Sequence, residues 1–186
     1  MRIPRAEVAK HGEIVQTALQ DLEPAFQVTI GGSYRRGSKD SGDIDFIITC
    51  PEAGIDRVRT VVVNQLVPKL FSQGFLKAAL AATSGDGTKW HGACCLPGQT
   101  VWRRIDFLLV PWMEMGAALI YFTGNDIFNR SLRLLASTKG FRLNRRARWW
   151  RVGMSGGFSL LLVCLGGRRN IGFLDLGGRE KEKGID

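Results

Sequence analysis

Gly31-Gly32-Ser33-Tyr34-Arg35-Arg36-Gly37-Ser38-Lys39-Asp40-Ser41-Gly42-Asp43-Ile44-Asp45-Phe46-Ile47-Ile48-Thr49 is the stretch from which the fold of this chain is read. It opens on a small-residue turn, passes two arginines and closes on two aspartates at alternate positions of an apolar run. In an extended strand successive side chains leave on opposite faces, so Asp43 and Asp45 share one side while Ile44, Phe46 and Ile48 share the other. One face is core and the other is a pair of carboxylates.

Like charges this close repel, and the pairing gains nothing unless cations neutralise it. Hard divalent ions with oxygen ligands suit that role, magnesium first among them. Glycine and serine at a tight turn present backbone N–H groups to phosphate oxygens, and Arg35 and Arg36 add charge and bidentate donors. Metal plus phosphate cradle reads as nucleotide chemistry. A bare Asp-x-Asp is common by chance and serves equally as a solvated strand end, so the weight falls on the whole arrangement. Gly32-Ser33-Tyr34-Arg35-Arg36-Gly37, a short connection, then Gly42-Asp43-Ile44-Asp45-Phe46 resembles the nucleotidyltransferase superfamily and, more narrowly, the family X DNA polymerases.

The 186 residues suffice for one full domain, or a domain and a fragment, and 45% of them are hydrophobic, enough for a buried core. Lysine and arginine number 26 against 17 aspartates and glutamates, and the resulting +9 favours a polyanionic partner. Cys50, Cys94, Cys95 and Cys164 show no Cys-x-x-Cys spacing and have only His11 and His91 to help them. That pattern argues against zinc and for reduced thiols in an intracellular protein. No secretory leader pattern opens the chain. The longest apolar run, Leu160 to Leu165, falls far short of the roughly twenty residues of a membrane span, so no membrane partner is expected.

Outward from the central stretch, residues 1–24 read as a helix with Pro4 at its first position and Val8, Val15, Leu19 and Leu22 on one stripe. Phe26 to Ile30 reads as a strand, and Asp56 to Gly74 as a helix kinked or broken at Pro68. Phe75 to Ala81 and Lys89 to Leu96 read as strands around a turn at Ser84-Gly85-Asp86-Gly87. Arg103 to Val110 is the last strand of the region, with Arg104, Asp106 and Leu108 on one face and Ile105, Phe107 and Leu109 on the other. If it lies beside the Asp43 strand, Asp106 completes a cluster of three carboxylates. Residues 113–139 read as two helical pieces broken at Thr123-Gly124, the second turning Leu132, Leu134 and Leu135 to a core and leaving Arg130, Arg133 and Lys139 to solvent or nucleic acid.

The resemblance implies an α+β fold: a nucleotidyltransferase-type palm with a small mixed sheet flanked by helices, plus the start of a helical thumb. Its domains would be a leading helix (1–24), the palm (25–112), the start of the thumb (113–145) and a divergent, poorly ordered Gly/Arg-rich tail (146–186). It covers residues 2–144, and the helix-hairpin-helix and lyase elements that family members carry upstream find no counterpart in it. By the same resemblance Asp43, Asp45 and Asp106 are catalytic metal ligands for two Mg2+ ions, with Mn2+ as a substitute. Gly32, Ser33, Arg36, Ser41 and Gly42 would bind the triphosphate. Tyr121-Phe122-Thr123-Gly124-Asn125-Asp126-Ile127-Phe128-Asn129 is similar to the family's sugar-selecting segment, so Tyr121, Phe122, Gly124, Asp126 and Asn129 would meet the sugar and base. Arg104, Arg133 and Lys139 would contact DNA.

The implied activity is template-directed addition of a dNTP to a primer 3′-hydroxyl on a primer-template or gapped duplex. The setting would be short-gap repair in the nucleus, by base excision repair or end joining, with the protein a monomer. Template-independent addition, as in terminal transferase, and an inactive remnant of such a polymerase are the alternatives. The sequence departs from the family near Asn144, where Arg145 stands at a position that is acidic in polymerase beta, and beyond it paired glycines recur at 156, 166 and 177. Translation of unspliced or frameshifted sequence would explain that change, and a continuous spliced transcript encoding the tail excludes this. A basic nucleic-acid-binding tail is the functional alternative.

Overall fold

The structure, a computed structural model, describes residues 2–81, 87–138, 141–143, 148–151, 160–163 and 172–175. It divides into two units, Met1–Met115 and Gly116–Asp186. In the first unit Ile3–Pro4 (β1) pairs antiparallel with Asp40–Ser41 (β3), and Arg5–Gln20 forms helix α1. Pro4 is therefore the residue that caps α1, where the sequence put it inside the helix. Its lack of an N–H costs nothing at the end of a two-residue strand, and the helix begins one residue later.

Gln27–Ile30 (β2) precedes the short helical turn Gly32–Arg35 (α2), and Ile44–Thr49 (β4) follows β3. The helical region runs Ile55–Val61 (α3), a π-helical stretch Val62–Leu66, then Val67–Ser72 (α4). The break anticipated at Pro68 is thus a widening one turn earlier, where Val67 N–H reaches Val62 O. Pro68 cannot donate to the helix, and the backbone takes up the missing bond by passing through an i to i+5 pattern. Leu76–Ala81 (β5), Lys89–Cys94 (β6) and Arg103–Leu109 (β7) complete the unit. Of the expected turn after β5, residues 84–86 lie outside the described residues.

The five long strands form one mixed sheet in the order β2-β4-β7-β6-β5. Only the β4–β7 pair is parallel, and its register sets Asp45 opposite Asp106. Val8, Val15 and Leu19 of α1 pack with Val58, Val61, Val62, Leu66 and Leu70 of the kinked helix onto Ile44, Phe46, Ile48, Ile105, Phe107 and Leu109 of the sheet. Burying each such side chain contributes about 2 kcal/mol, which fixes the strand register and with it the face on which the aspartates emerge. That opposite face is not polar throughout. Ile47, Thr49 and Leu108 are fully or almost fully buried, so carboxylates occupy only one end of it.

The second unit opens with Met115–Thr123 (α5) and Asp126–Thr138 (α6), broken at Gly124 as the sequence indicated. The α6 stripe differs from expectation. Leu134 and Leu135 are 68% and 52% exposed, while Asn129, Leu132 and Ala136, at helical spacing, form the sheltered side. Four strands follow, Phe141–Leu143 (β8), Arg148–Arg151 (β9), Leu160–Val163 (β10) and Gly172–Asp175 (β11). They pair antiparallel in the order β11-β10-β9-β8. Lys139 and Arg145 lie outside the described residues.

Candidate active site

Three strands carry the site at one level. In register, Asp45 on β4 stands opposite Asp106 on β7, and Asp106 stands opposite His91 on β6. Asp43 lies two residues before Asp45, where the chain enters β4. Asp43, Asp45 and Asp106 each offer an oxygen within 4.8 Å of the others, a spacing a metal ion can bridge, and no other such group occurs among the described residues. Burial, then Asp43, then Asp106 push the Asp45 carboxyl from 3.8 up to about 6. Arg104 and Lys89 offset this only in part. The donor set is thus all hard oxygen and under-neutralised, which fits divalent magnesium or manganese.

Asp106 is held differently. Arg104 grips it as a fork, Nε donating to Oδ1 at 3.1 Å and Nη2 donating to Oδ2 at 2.8 Å. His91 Nδ1 lies 3.0 Å from Oδ1.

The glycine turn presses directly on this cluster. Gly31 N–H donates to Asp45 O at 2.8 Å, and Gly32 sits at φ +55°, where a Cβ would lie 2.6 Å from Asp45 Oδ2. Only glycine fits there, for both its backbone angle and the space. Ser33 Oγ donates to Ser41 Oγ at 2.8 Å, which ties the turn to β3 and brings Ser33, Ser41 and Gly42 to one rim of the cluster. Arg36 caps the short helix α2.

Two residues that sequence reasoning passed over brace this rim. Arg2 pairs with Asp40 at 2.8 Å, and its Nη1 comes 3.4 Å from where a Gly42 Cβ would stand. Arg5 lies 3.9 Å over the Tyr34 ring, donates Nη1 to Tyr34 O at 2.6 Å, and its backbone N–H donates to Lys39 O. The period of α1 gave no sign of this, because both arginines act ahead of or at its first residue. A part-buried pair, Arg103 with Glu7 at 2.7 Å, joins α1 to the strand of Asp106. Among the described residues the cysteines lie apart: Cys50, Cys94 and Cys95 are buried free thiols, and burial pushes Cys94 up to about 12, while Cys164 lies outside the described residues.

In the second unit Tyr121 and Phe122 meet edge to face at 5.0 Å. Gly124 has φ +57°, and its peptide to Asn125 is cis. Asn129 donates Nδ2–H to Tyr121 O at 2.8 Å, which leaves its buried Oδ1 without a hydrogen-bond partner among the described residues. Arg133 donates to the Tyr121 hydroxyl at 3.0 Å. Asp126 opens α6. The predicted sugar and base residues are thus brought together in one turn between two helices.

The family model of the DNA polymerase beta palm matches residues 2–112, more than half of the chain, and that of the DNA polymerase beta thumb matches residues 118–180. The chain belongs to the DNA polymerase beta family. The thumb match passes Arg145, where the residue-by-residue resemblance ends, so the stretch holding β9 to β11 shares the family's pattern although its motifs were not legible. DNA polymerase lambda of Rattus norvegicus is 39% identical over 149 residues, covering 78% of this chain and 26% of that protein. DNA polymerase lambda of Arabidopsis thaliana is 37% identical, covering 77% and 28%. The chain thus spans about a quarter of the length of these relatives. The crystal structure of Leishmania infantum polymerase beta, a ternary gap complex, aligns with a TM-score of 0.73 at 29% identity, covering 83% of this chain and 53% of that one.

Proposed function

We propose that this protein is a template-directed DNA polymerase that adds a deoxynucleotide from a dNTP to a primer 3′-hydroxyl in gapped DNA, with release of pyrophosphate. The observation that carries the proposal is the Asp43–Asp45–Asp106 cluster beside a glycine-serine turn, in a chain of this family. Two divalent cations held by these carboxylates would supply charge neutralisation of the triphosphate and activation of the hydroxyl.

The chain's own residues do the rest. Gly32, Ser33, Arg36, Ser41 and Gly42 cradle the triphosphate, with Arg2 adding charge at the same rim. Arg104 orients Asp106 and, being half exposed, reaches the primer backbone. Tyr121 and Phe122 crowd the sugar, Gly124 and Asp126 border the base, and the unpaired Oδ1 of Asn129 accepts from the nucleotide or a water beside it. Arg133 and Lys139 touch the DNA backbone, contacts that position without reading sequence and weaken with salt. The setting is short-gap repair in a nucleus, by base excision repair or end joining, and the protein acts as a monomer.

The test is incorporation of a labelled deoxynucleotide into a one-nucleotide-gapped duplex with magnesium, wild type beside Asp106→Ala. Incorporation lost in the variant supports the reading; none by a folded wild type overturns it.

A further inference from the structure

His91 is the residue of the site that neither the motif nor the charge pattern explains. It stands directly across the β6–β7 ladder from Asp106, as Asp45 does across β4–β7, so Asp106 is flanked at one level by a carboxylate and an imidazole. Its place is enforced by packing. Trp90 and Gly92 face the core, where the Trp90 ring stacks on Phe107 at 5.2 Å and covers the space a Gly92 Cβ would need. The residue between them must emerge on the carboxylate face. There its Nδ1 is 3.0 Å from Asp106 Oδ1, yet it makes no aligned hydrogen bond to any atom among the described residues. The distance is met and the angle is not.

Both oxygens of Asp106 are taken by the Arg104 fork. Each oxygen keeps a second lone pair, but a cation shared with Asp43 and Asp45 competes with the Arg104 guanidinium for this carboxylate, and releasing one of those bonds relieves the competition. Arg104 is 55% exposed on its side chain and can swing into solvent, whereas His91 is anchored by its strand and 23% exposed. A small rotation of the carboxylate completes the His91 bond as the Arg104 bond is lost.

We propose that His91 is a positioning residue for the metal-binding form of Asp106: its Nδ1–H takes over one carboxylate oxygen when Arg104 lets go, and so holds the other oxygen toward the ion. The inference rests on the polymerase reading for its kinetic consequence and on the cluster alone for its binding consequence. Hydrogen bonds to ligating carboxylates set ligand orientation, and their loss costs about 10-fold or more in metal affinity or rate.

The experiment compares His91→Leu, which keeps the volume and removes the donor, with His91→Asn, which keeps a donor near the Nδ1 position. Mn2+ binding to the full chain is measured by electron paramagnetic resonance, with Asp106→Ala marking loss of the site, and gap filling is measured in parallel. The expected result is an Mn2+ dissociation constant about 10-fold weaker in the leucine variant, kcat reduced by a similar factor with the dNTP KM unchanged, and both values restored within about 3-fold by asparagine. Leucine equal to wild type, or asparagine as impaired as leucine, overturns the proposal, because a packing role would favour leucine. If the leucine variant loses its cooperative melt, His91→Gln, which sets the amide one bond too far out, takes its place with the same expectation. Should wild type bind Mn2+ yet incorporate nothing, the polymerase reading fails and the Mn2+ comparison alone decides the role of His91.

Discussion

Asp45 and Asp106 stand side by side on parallel strands, at one level of one sheet, and the protein treats them in opposite ways. Asp106 is clasped by the Arg104 fork and has His91 at its other side. Asp45, half-buried beside the like charges of Asp43 and Asp106, is pushed up to about 6, with a glycine turn closed against it. The same residue type in the same register is therefore neutralised on one strand and left in deficit on the next. The lesson is that the cluster is built half complete: β7 brings its own cation in Arg104, and β4 leaves room for foreign ones.

Removing the deficit should separate function from stability most sharply. Asp45→Asn is expected to lower incorporation by about 1000-fold, the several kcal/mol a metal ligand supplies. It should also stabilise the metal-free protein at pH 7 by up to about 3 kcal/mol, the cost of ionising a carboxyl displaced from 3.8 to about 6. Gap-filling assays and thermal melts in EDTA check the two halves. A metal-free variant that melts below wild type at pH 7 breaks the comparison.

The pH dependence sharpens it, because half-buried Asp45 and buried His11 titrate in one window with opposite signs. Asp45 has a raised pKa, so the folded state holds its proton longer; that contribution is full below about 4 and is lost as pH rises through about 6. His11 is pulled from 6.5 down to about 4 chiefly by burial, so its contribution is full above 6.5 and is lost as pH falls toward 4. In EDTA the two offset each other and the wild-type melting temperature changes little between pH 4 and 6. Asp45→Asn leaves His11 alone, and its melting temperature should fall on acidification over that window by roughly 5 to 10 °C, for about 3 kcal/mol. A flat profile in the variant contradicts the assignment.

How much of this was legible in the sequence depends on whether an interaction is local. The Asp43–Asp45 spacing, the apolar alternation of β7 and the helix break at Gly124 all follow from period and turn chemistry within a few residues, and each lies where it was read. That Asp106 neighbours Asp45 required strand order, which only the family resemblance supplied. In the sequence His91 stands only as a helper for cysteines, since no local pattern says which strand will lie opposite; the one available signal is Trp90 and Gly92 alternating against Lys89 and His91. The leucine pattern of α6 turns Leu132, Leu134 and Leu135 toward a core, whereas the i, i+3, i+7 spacing of Asn129, Leu132 and Ala136 is the stripe that the helix shelters.

The turn that closes on Asp45 gives a smaller effect. Gly32→Ala must adopt a left-handed backbone and place a methyl 2.6 Å from Asp45 Oδ2. The backbone alone costs about 1 to 2 kcal/mol, and the carboxylate must turn away from Asp43 and Asp106 to make room. The expected outcome is a melting temperature lower by about 5 °C together with weaker Mn2+ binding, read from melts and metal titration. Lost stability with unchanged metal affinity would mean that the turn supports the strand without shaping the cluster.

The mildest change acts one step further out, on the brace of that turn. Arg5 touches no member of the cluster; it holds Tyr34 by its ring and its carbonyl, and Ser33 beside it bonds to Ser41. A cation–π contact and a hydrogen bond at an exposed site together contribute on the order of 1 kcal/mol. Arg5→Ala should therefore raise the dNTP KM about 5-fold while leaving kcat and Mn2+ affinity at wild-type values, because the phosphate rim loosens and the carboxylates stay where the sheet puts them. Arg5→Lys keeps the charge without the planar fork and should recover only part of the difference. If Arg5→Ala instead lowers kcat and weakens Mn2+ binding, the rim and the carboxylates form a single mechanical unit, and the contrast between β4 and β7 is set from outside the sheet as well as within it.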